Sequence, residues 1–287
     1  MNDGREASVV TDWTSGYVSA NGVSLHFTRT GGEKPPLVLA HGVTDDGLCW
    51  TPVVERLAKT YDAIMVDARG HGLSEATEQG YDPATQAADL AGLIGGLGLR
   101  RPAVLGHSMG AATALVLAGT YPDLPGAILL EDPPPWWVVA EPTPALESRR
   151  AEGRARALEI REMSREHLLA ETRERHPQWP DGEFEPWADS KFRFSPNVLT
   201  VYGDDNSRAV DWGATLSRIT CPALLIIADT ELGGIVSESD AAALKALVPH
   251  LEIAHVPDAG HSIRRDQFAS YLAVIAPFLA CYAGMAG

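Results

Sequence analysis

What most constrains this chain is a rhythm that begins at residue 37. Short apolar runs at 37–40, 63–66, 103–105, 127–130, 223–228 and 251–256 alternate with segments whose apolar residues recur at helical spacing. Runs this short and this apolar are buried on both faces, and strands in that state separated by helices imply a parallel sheet with right-handed crossovers. The fold class is therefore α/β. Ahead of the rhythm, Val23, Leu25 and Phe27 alternate after an Asn21-Gly22 turn, the pattern of a half-buried antiparallel hairpin. Leu90, Leu93, Ile94 and Leu97 fall at i, i+3, i+4 and i+7, which predicts an amphipathic helix; 51–59, 111–120 and 238–247 also read as helices.

The rhythm breaks between Pro133 and Trp212. There the sequence runs through "DPPPWW", a charged helical stretch over 144–175, and an irregular aromatic segment over 176–194. A core domain of residues 1–132 and 213–287 is expected, interrupted by a helical insertion, 133–212, that sits over one end of the sheet as a lid. A chain of 287 residues is within reach of one such domain.

The formal net charge of −15 argues against nucleic acid and anionic membranes as partners, since both would repel the chain. The richest Arg region, 149–175, interleaves Arg with Glu and reads as a solvated helix face. Cys49, Cys221 and Cys281 are too few and too scattered for a disulfide framework or a zinc site, so reduced thiols in a cytoplasm are expected, with no metal. The first residues lack the basic-then-apolar pattern of a leader, and no run of about 20 apolar residues occurs, so neither secretion nor a membrane span is expected.

Gly106-His107-Ser108-Met109-Gly110 matches G-x-S-x-G, a pattern that means little by itself. Its context gives it weight: it follows the apolar run 103–105 and precedes the helical 111–120, as a nucleophile elbow requires. Glycine at both ends leaves room for a strained turn that lifts the Ser108 hydroxyl clear of the sheet. The Met109 N–H then stands at a helix N-terminus, where developing negative charge is favoured. A serine hydroxyl needs a positioned base, and His261 lies in the loop after the last apolar run, at the sheet edge where open α/β folds bind ligands. His41-Gly42, after the run 37–40, allows a sharp turn that makes the Val43 N–H, beside Thr44, a second oxyanion donor.

With these motifs in place, the chain resembles the α/β-hydrolase fold family, specifically its lidded esterase, lactonase and C–C hydrolase branch. The likeness covers about 200 residues: His41-Gly42, "DARGHGLS" at 67–74, the elbow at 106–110 and Gly260-His261. In relatives the Arg and His of "RGHG" support a loop, so a structural role is expected for His71. The resemblance implies a mostly parallel sheet with an N-terminal antiparallel hairpin and an inserted helical lid, a Ser-His-acid triad of Ser108, His261 and a carboxylate, and no cofactor. Most relatives keep the carboxylate after the seventh strand, where "ALLIIADTELGG" puts Glu231 at the usual place and Asp229 two residues short of it. The extra Leu232-Gly233-Gly234 departs from the usual spacing, and some relatives keep their acid after the sixth strand, where Glu131 and Asp132 stand. Glu231 is the first expectation; Asp132 or Glu131 is the alternative, and Asp229 follows.

Serine at the elbow argues against dehalogenases and epoxide hydrolases, which resemble this chain but carry Asp there. The expected reaction is hydrolysis of a carboxylic ester or lactone through an acyl-enzyme. Trp50, Trp136, Trp137 and Trp187 are candidates to line a pocket for a moderate-sized apolar or aromatic small molecule. Cleavage of a C–C bond or perhydrolysis on the same triad is the alternative, and a small-molecule receptor without catalysis a further one.

Overall fold

The computed structural model describes residues 13–138, 144–203 and 210–283. The first dozen residues, from which no leader is expected, lie outside them. Eight strands form one sheet in the order β1-β2-β4-β3-β5-β6-β7-β8. The hairpin is β1 (Thr14–Ala20) and β2 (Val23–Arg29), turned at Asn21 (φ 48°) and Gly22 (φ 80°), both in the left-handed region that a two-residue hairpin loop requires. β2 also runs antiparallel to β4 (Asp62–Val66). β3 (Pro36–Ala40), β4, β5 (Ala103–His107), β6 (Ala127–Glu131), β7 (Ala223–Ile227) and β8 (Glu252–His255) pair in parallel.

Strand alternation divides the apolar runs between two cores, one on each face. Val38, Val104 and Ile128 face a core built with helices α2 (Pro83–Gly96) and α3 (Met109–Thr120). Leu37, Leu39, Leu105 and Leu129 face a second, built with α1 (Thr51–Leu57) and the C-terminal helix, α10 (Phe268–Tyr282). The last expected strand is an edge strand rather than a fully buried one: Glu252 and His255 are exposed, and Ile253 keeps 39% of its surface.

Between β6 and β7 the chain forms α4 (Pro144–Arg161), α5 (Arg165–Arg175), α6 (Asp181–Ser190), a 3-10 segment (Pro196–Tyr202) and the short α7 (Trp212–Leu216). The single charged stretch expected over 144–175 is two helices, because the Ser164 hydroxyl accepts the His167 N–H and caps a new one. These helices carry a small core of their own around Leu168, Trp179 and Phe184. A second cluster, of Phe194, Val198 and Leu199, packs on Tyr81 and Val43. Phe194 bridges His71, and Ser195 N–H donates to Gly70 O at 2.7 Å, so the insertion rests on the loops that follow β3 and β4. α8 (Glu238–Leu247) starts where its capping box, Ser237 with Asp240, places it; α9 (Ile263–Asp266) follows His261.

Candidate active site

β5 ends at His107, and Ser108 turns the chain into α3 with φ 51° and ψ −114°. A non-glycine residue held there costs on the order of 1 kcal/mol or more, and persists only where its surroundings over-determine it. They do so here: Ser108 N–H donates to Glu131 O on the neighbouring strand at 2.9 Å, and Gly110 N–H donates to His41 O at 3.1 Å. The flanking glycines are a packing requirement. A Cβ on Gly106 would lie 2.4 Å from the Gly110 carbonyl, and one on Gly110 would lie 2.2 Å from Ala40 O. Both obstacles are backbone and cannot rotate away. Gly110→Ala is therefore expected to cost more than about 3 kcal/mol, as overpacking against rigid neighbours does, and thermal unfolding of the purified variant measures it.

His261 meets Asp132, not Glu231. Its Nδ1 lies 2.7 Å from Asp132 Oδ2, with the histidine side chain about one third exposed and the aspartate fully buried. Asp132 takes a positive φ of 43° immediately after β6, which aims its carboxylate across the sheet edge. Its oxygens also accept the N–H groups of Ile235 (2.9 Å) and Val236 (3.1 Å). The inserted Leu232-Gly233-Gly234, with Gly233 at φ 105°, folds the loop after β7 back so that it donates to this acid instead of supplying it. Glu231 is exposed, and among the described residues its carboxylate accepts from Thr230 Oγ1 at 3.4 Å and does not meet His261. Asp229 is spent on His255 and the Asp258 N–H. Glu131, facing the other way, holds Arg264.

His107, inside the pentapeptide, was not a sequence candidate. Its Nε2–H donates to the His261 carbonyl at 3.0 Å, and the two rings sit 4.8 Å apart. Burial, with Arg264 nearby, holds it well below the usual imidazole range, so it remains a neutral tether. A Cβ on Gly42 would lie 2.7 Å from its Nδ1, which explains glycine at that position. His71 is also structural in its contacts: buried, pushed down to about 3 by burial and by His41, and bonded to Arg69 O.

At the turn expected to supply an oxyanion donor, Gly42 O accepts Asp45 N–H at 3.1 Å, closing a turn whose third residue, Thr44, has φ 65°. Val43, its second residue, packs beneath Phe194 and its neighbours. Met109 opens α3. Of the pocket tryptophans, Trp50 has no exposed surface and lies under the Arg264 guanidinium, 4.3 Å from its ring, and Trp137 is buried with its Nε1–H on Asp240 O. Both belong to packed layers, so neither lines an open wall. Trp136, against Trp212, and Trp187, against Lys191, remain half-buried.

Asp46 is the titratable oddity beside this loop. Burial, with the Asp67 carboxylate close by, pushes its pKa up to about 6. Its Oδ2 stands 3.3 Å from Arg193 without hydrogen-bond alignment, and its Oδ1 accepts Leu48 N–H. A raised folded-state pKa stabilises the fold below pH 4 and loses that contribution as pH rises through 6. Asp46→Asn keeps the acceptor and removes the buried charge. It should leave stability unchanged near pH 4 and raise it above pH 6 by up to about 3 kcal/mol, read from unfolding curves across that range.

Among the described residues, no group of three or more His, Cys, Asp or Glu side chains is placed to hold a metal ion, and no helix is long and apolar enough to cross a membrane.

The chain belongs to the alpha/beta hydrolase family, whose model matches residues 37–271. It is 29% identical over 279 residues to N-formylmaleamate deformylase of Pseudomonas putida, covering 92% of this chain and 96% of that one. Its fold matches the crystal structure of E-2-(acetamidomethylene)succinate hydrolase with a TM-score of 0.77 at 25% identity, covering 93% of this chain and 99% of the other. It also matches N-formylmaleamic acid deformylase from Pseudomonas putida S16, with a TM-score of 0.75 at 30% identity over 91% of this chain and all of that one. The protein is thus a hydrolase, and its relatives act on small molecules.

Proposed function

We propose that this hydrolase transfers an acyl group from a small-molecule substrate to Ser108 and then to water. One observation carries the reading: a serine on a strained strand-to-helix turn shares a sheet edge with a histidine whose Nδ1 is engaged by a fully buried carboxylate. With Nδ1–H given to Asp132, His261 presents Nε2 as the acceptor that takes the Ser108 proton and returns it to the leaving group. Asp132 holds the tautomer and stabilises the imidazolium, in the place the sequence offered first to Glu231. The Val43 and Met109 N–H groups receive the oxyanion, each donor worth about 3 kcal/mol. Water then enters by the same base. No step needs a cofactor.

Residues 133–212 serve as the lid over this site, and its half-buried aromatics Trp136 and Trp187 form the apolar wall for an ester or lactone of moderate size. The three unpaired cysteines suit a reducing cytoplasm. A second reading has support from two relatives that span nearly the whole chain and are named for hydrolysis of a formylated and an acetamido compound: the scissile bond is then a C–N bond and the leaving group a nitrogen.

The test is turnover across p-nitrophenyl acetate and butyrate, aryl esters, lactones, and N-formyl and N-acetyl compounds, with the Ser108→Ala protein as blank. Highest kcat/KM on esters or lactones supports the first reading, and on N-acyl compounds the second. A single burst without repeated turnover would indicate a receptor and remove both. Unchanged selectivity in Trp136→Ala and Trp187→Ala would remove the aromatic wall.

A further inference from the structure

Beneath the candidate site lies a buried ionic cluster that the proposed chemistry does not use. Asp45, 4% exposed, is its centre. Lys191 reaches Asp45 Oδ1 at 2.6 Å, and Arg265 and Arg264 reach Oδ2 at 3.0 and 3.3 Å. Burial opposes charge on Asp45, but Arg265, Lys191 and Arg264 outweigh it and hold its carboxyl well below the usual range. The outer partners complete the balance: Arg264 Nη1 pairs with Glu131 at 3.1 Å and Arg265 Nε with Glu183 at 3.1 Å. Three cations thus meet three carboxylates in a space closed to water.

What this cluster joins is more informative than its size. Asp45 closes the turn that carries Val43 and Thr44. Glu131 immediately precedes Asp132, and Arg264 stands three residues after His261. Glu183 and Lys191 belong to the insertion, and the Lys191 ammonium also donates to the Thr44 carbonyl at 3.1 Å. Thr44 is the strained residue of that turn, at φ 65°, and strain of this kind survives only when neighbours fix it. Lys191 and Asp45 are those neighbours, one on each side of the turn's last peptide.

We propose that Asp45 is a positioning residue for the oxyanion side of the site: with Lys191 it sets the Val43–Thr44 turn and couples that setting to the seating of residues 133–212. The inference rests on the acyl-transfer reading for its kinetic consequence, but not for its structural one. Asp45→Asn preserves the shape and leaves three buried cations against two carboxylates. Adding Lys191→Met restores the charge balance but also removes the ammonium that donates to the Thr44 carbonyl, so the turn is left without either anchor. The two roles Asp45 could have, holding the fold and aiming the turn, therefore separate in the double variant.

The experiment uses the full chain. Active sites are counted with a fluorophosphonate that labels the nucleophilic serine, and kcat and KM are read per labelled site on the best ester of the panel. For Asp45→Asn we expect kcat per site to fall by about 10²-fold, as misplacement of a catalytic group by about an ångström does, with KM within about threefold. For Asp45→Asn/Lys191→Met we expect thermal stability to recover toward that of the unaltered protein while kcat per site stays low. Recovery of both together, or an Asp45→Asn kcat per site within threefold of the unaltered protein, overturns the proposal. Hydrogen exchange of the 41–50 peptide needs no substrate: it should quicken at least about fivefold in Asp45→Asn while β5 and α3 peptides hold. No change there overturns the proposal whether or not any ester is hydrolysed, whereas failure of the unaltered protein to turn over any acyl compound strikes only the reading of the reaction.

Discussion

Asp132→Asn is expected to lower kcat by about 10⁴-fold, as loss of the orienting carboxylate does in Ser-His-Asp enzymes, with the protein still folded at room temperature. The reason is an excess of donors. Three N–H groups, from Ile235, Val236 and His261, converge on the two oxygens of a fully buried carboxylate. An amide presents one acceptor and one donor, so either the His261 ring loses its anchor and rotates, or a backbone N–H is buried without a partner at about 1–3 kcal/mol. Glu231→Gln is the matched control: exposed and remote from His261, it should keep kcat within about twofold. Steady-state rates for the two variants on one ester decide the point, and equal losses in both would refute the assignment of Asp132.

The second large effect concerns stability. Arg264→Met should lower the unfolding free energy by about 3–5 kcal/mol, and Tm by roughly 10 °C, because it leaves Glu131 buried and uncompensated. Arg264 and Glu131 have no exposed surface, and burial raises the Glu131 pKa, with Arg264 opposing that rise. The companion double variant Glu131→Gln/Arg264→Met should regain most of the loss, since exchanging a whole buried pair for groups of similar volume is often neutral. By contrast, Arg165 makes even closer contacts with Glu185 and Asp189, but on an open helix face, and Arg165→Ala should barely move Tm. Calorimetry on the four proteins tests the ranking. An Arg264→Met protein as stable as its parent would mean that Glu131 is accommodated in some other way.

The sheet was legible because burial on both faces writes itself into continuous apolar runs, and the elbow because steric demand writes itself into glycines at fixed spacing. α8 was legible to its first residue, since Ser237 and Asp240 form a local cap. The acid was not. Which carboxylate meets His261 depends on how the 229–236 loop doubles back, a contact between residues 129 positions apart that no local pattern encodes. Trp50 misled for a related reason: an aromatic beside a turn reads the same whether it faces a pocket or carries a buried guanidinium, and only the packing of Arg264 decides. The edge exposure of β8 follows from strand order, which a list of apolar runs does not contain.

Glu131 and Asp132 are neighbours with opposite clients, one serving Arg264 below and the other His261 above. Because successive side chains leave a strand in opposite directions, removing a single residue from β6 would send each to the wrong customer. Length variation among sequences that share this arrangement should accordingly accumulate before Ala127 or after the prolines at 133–135, and stay out of the five residues between Ala127 and Glu131.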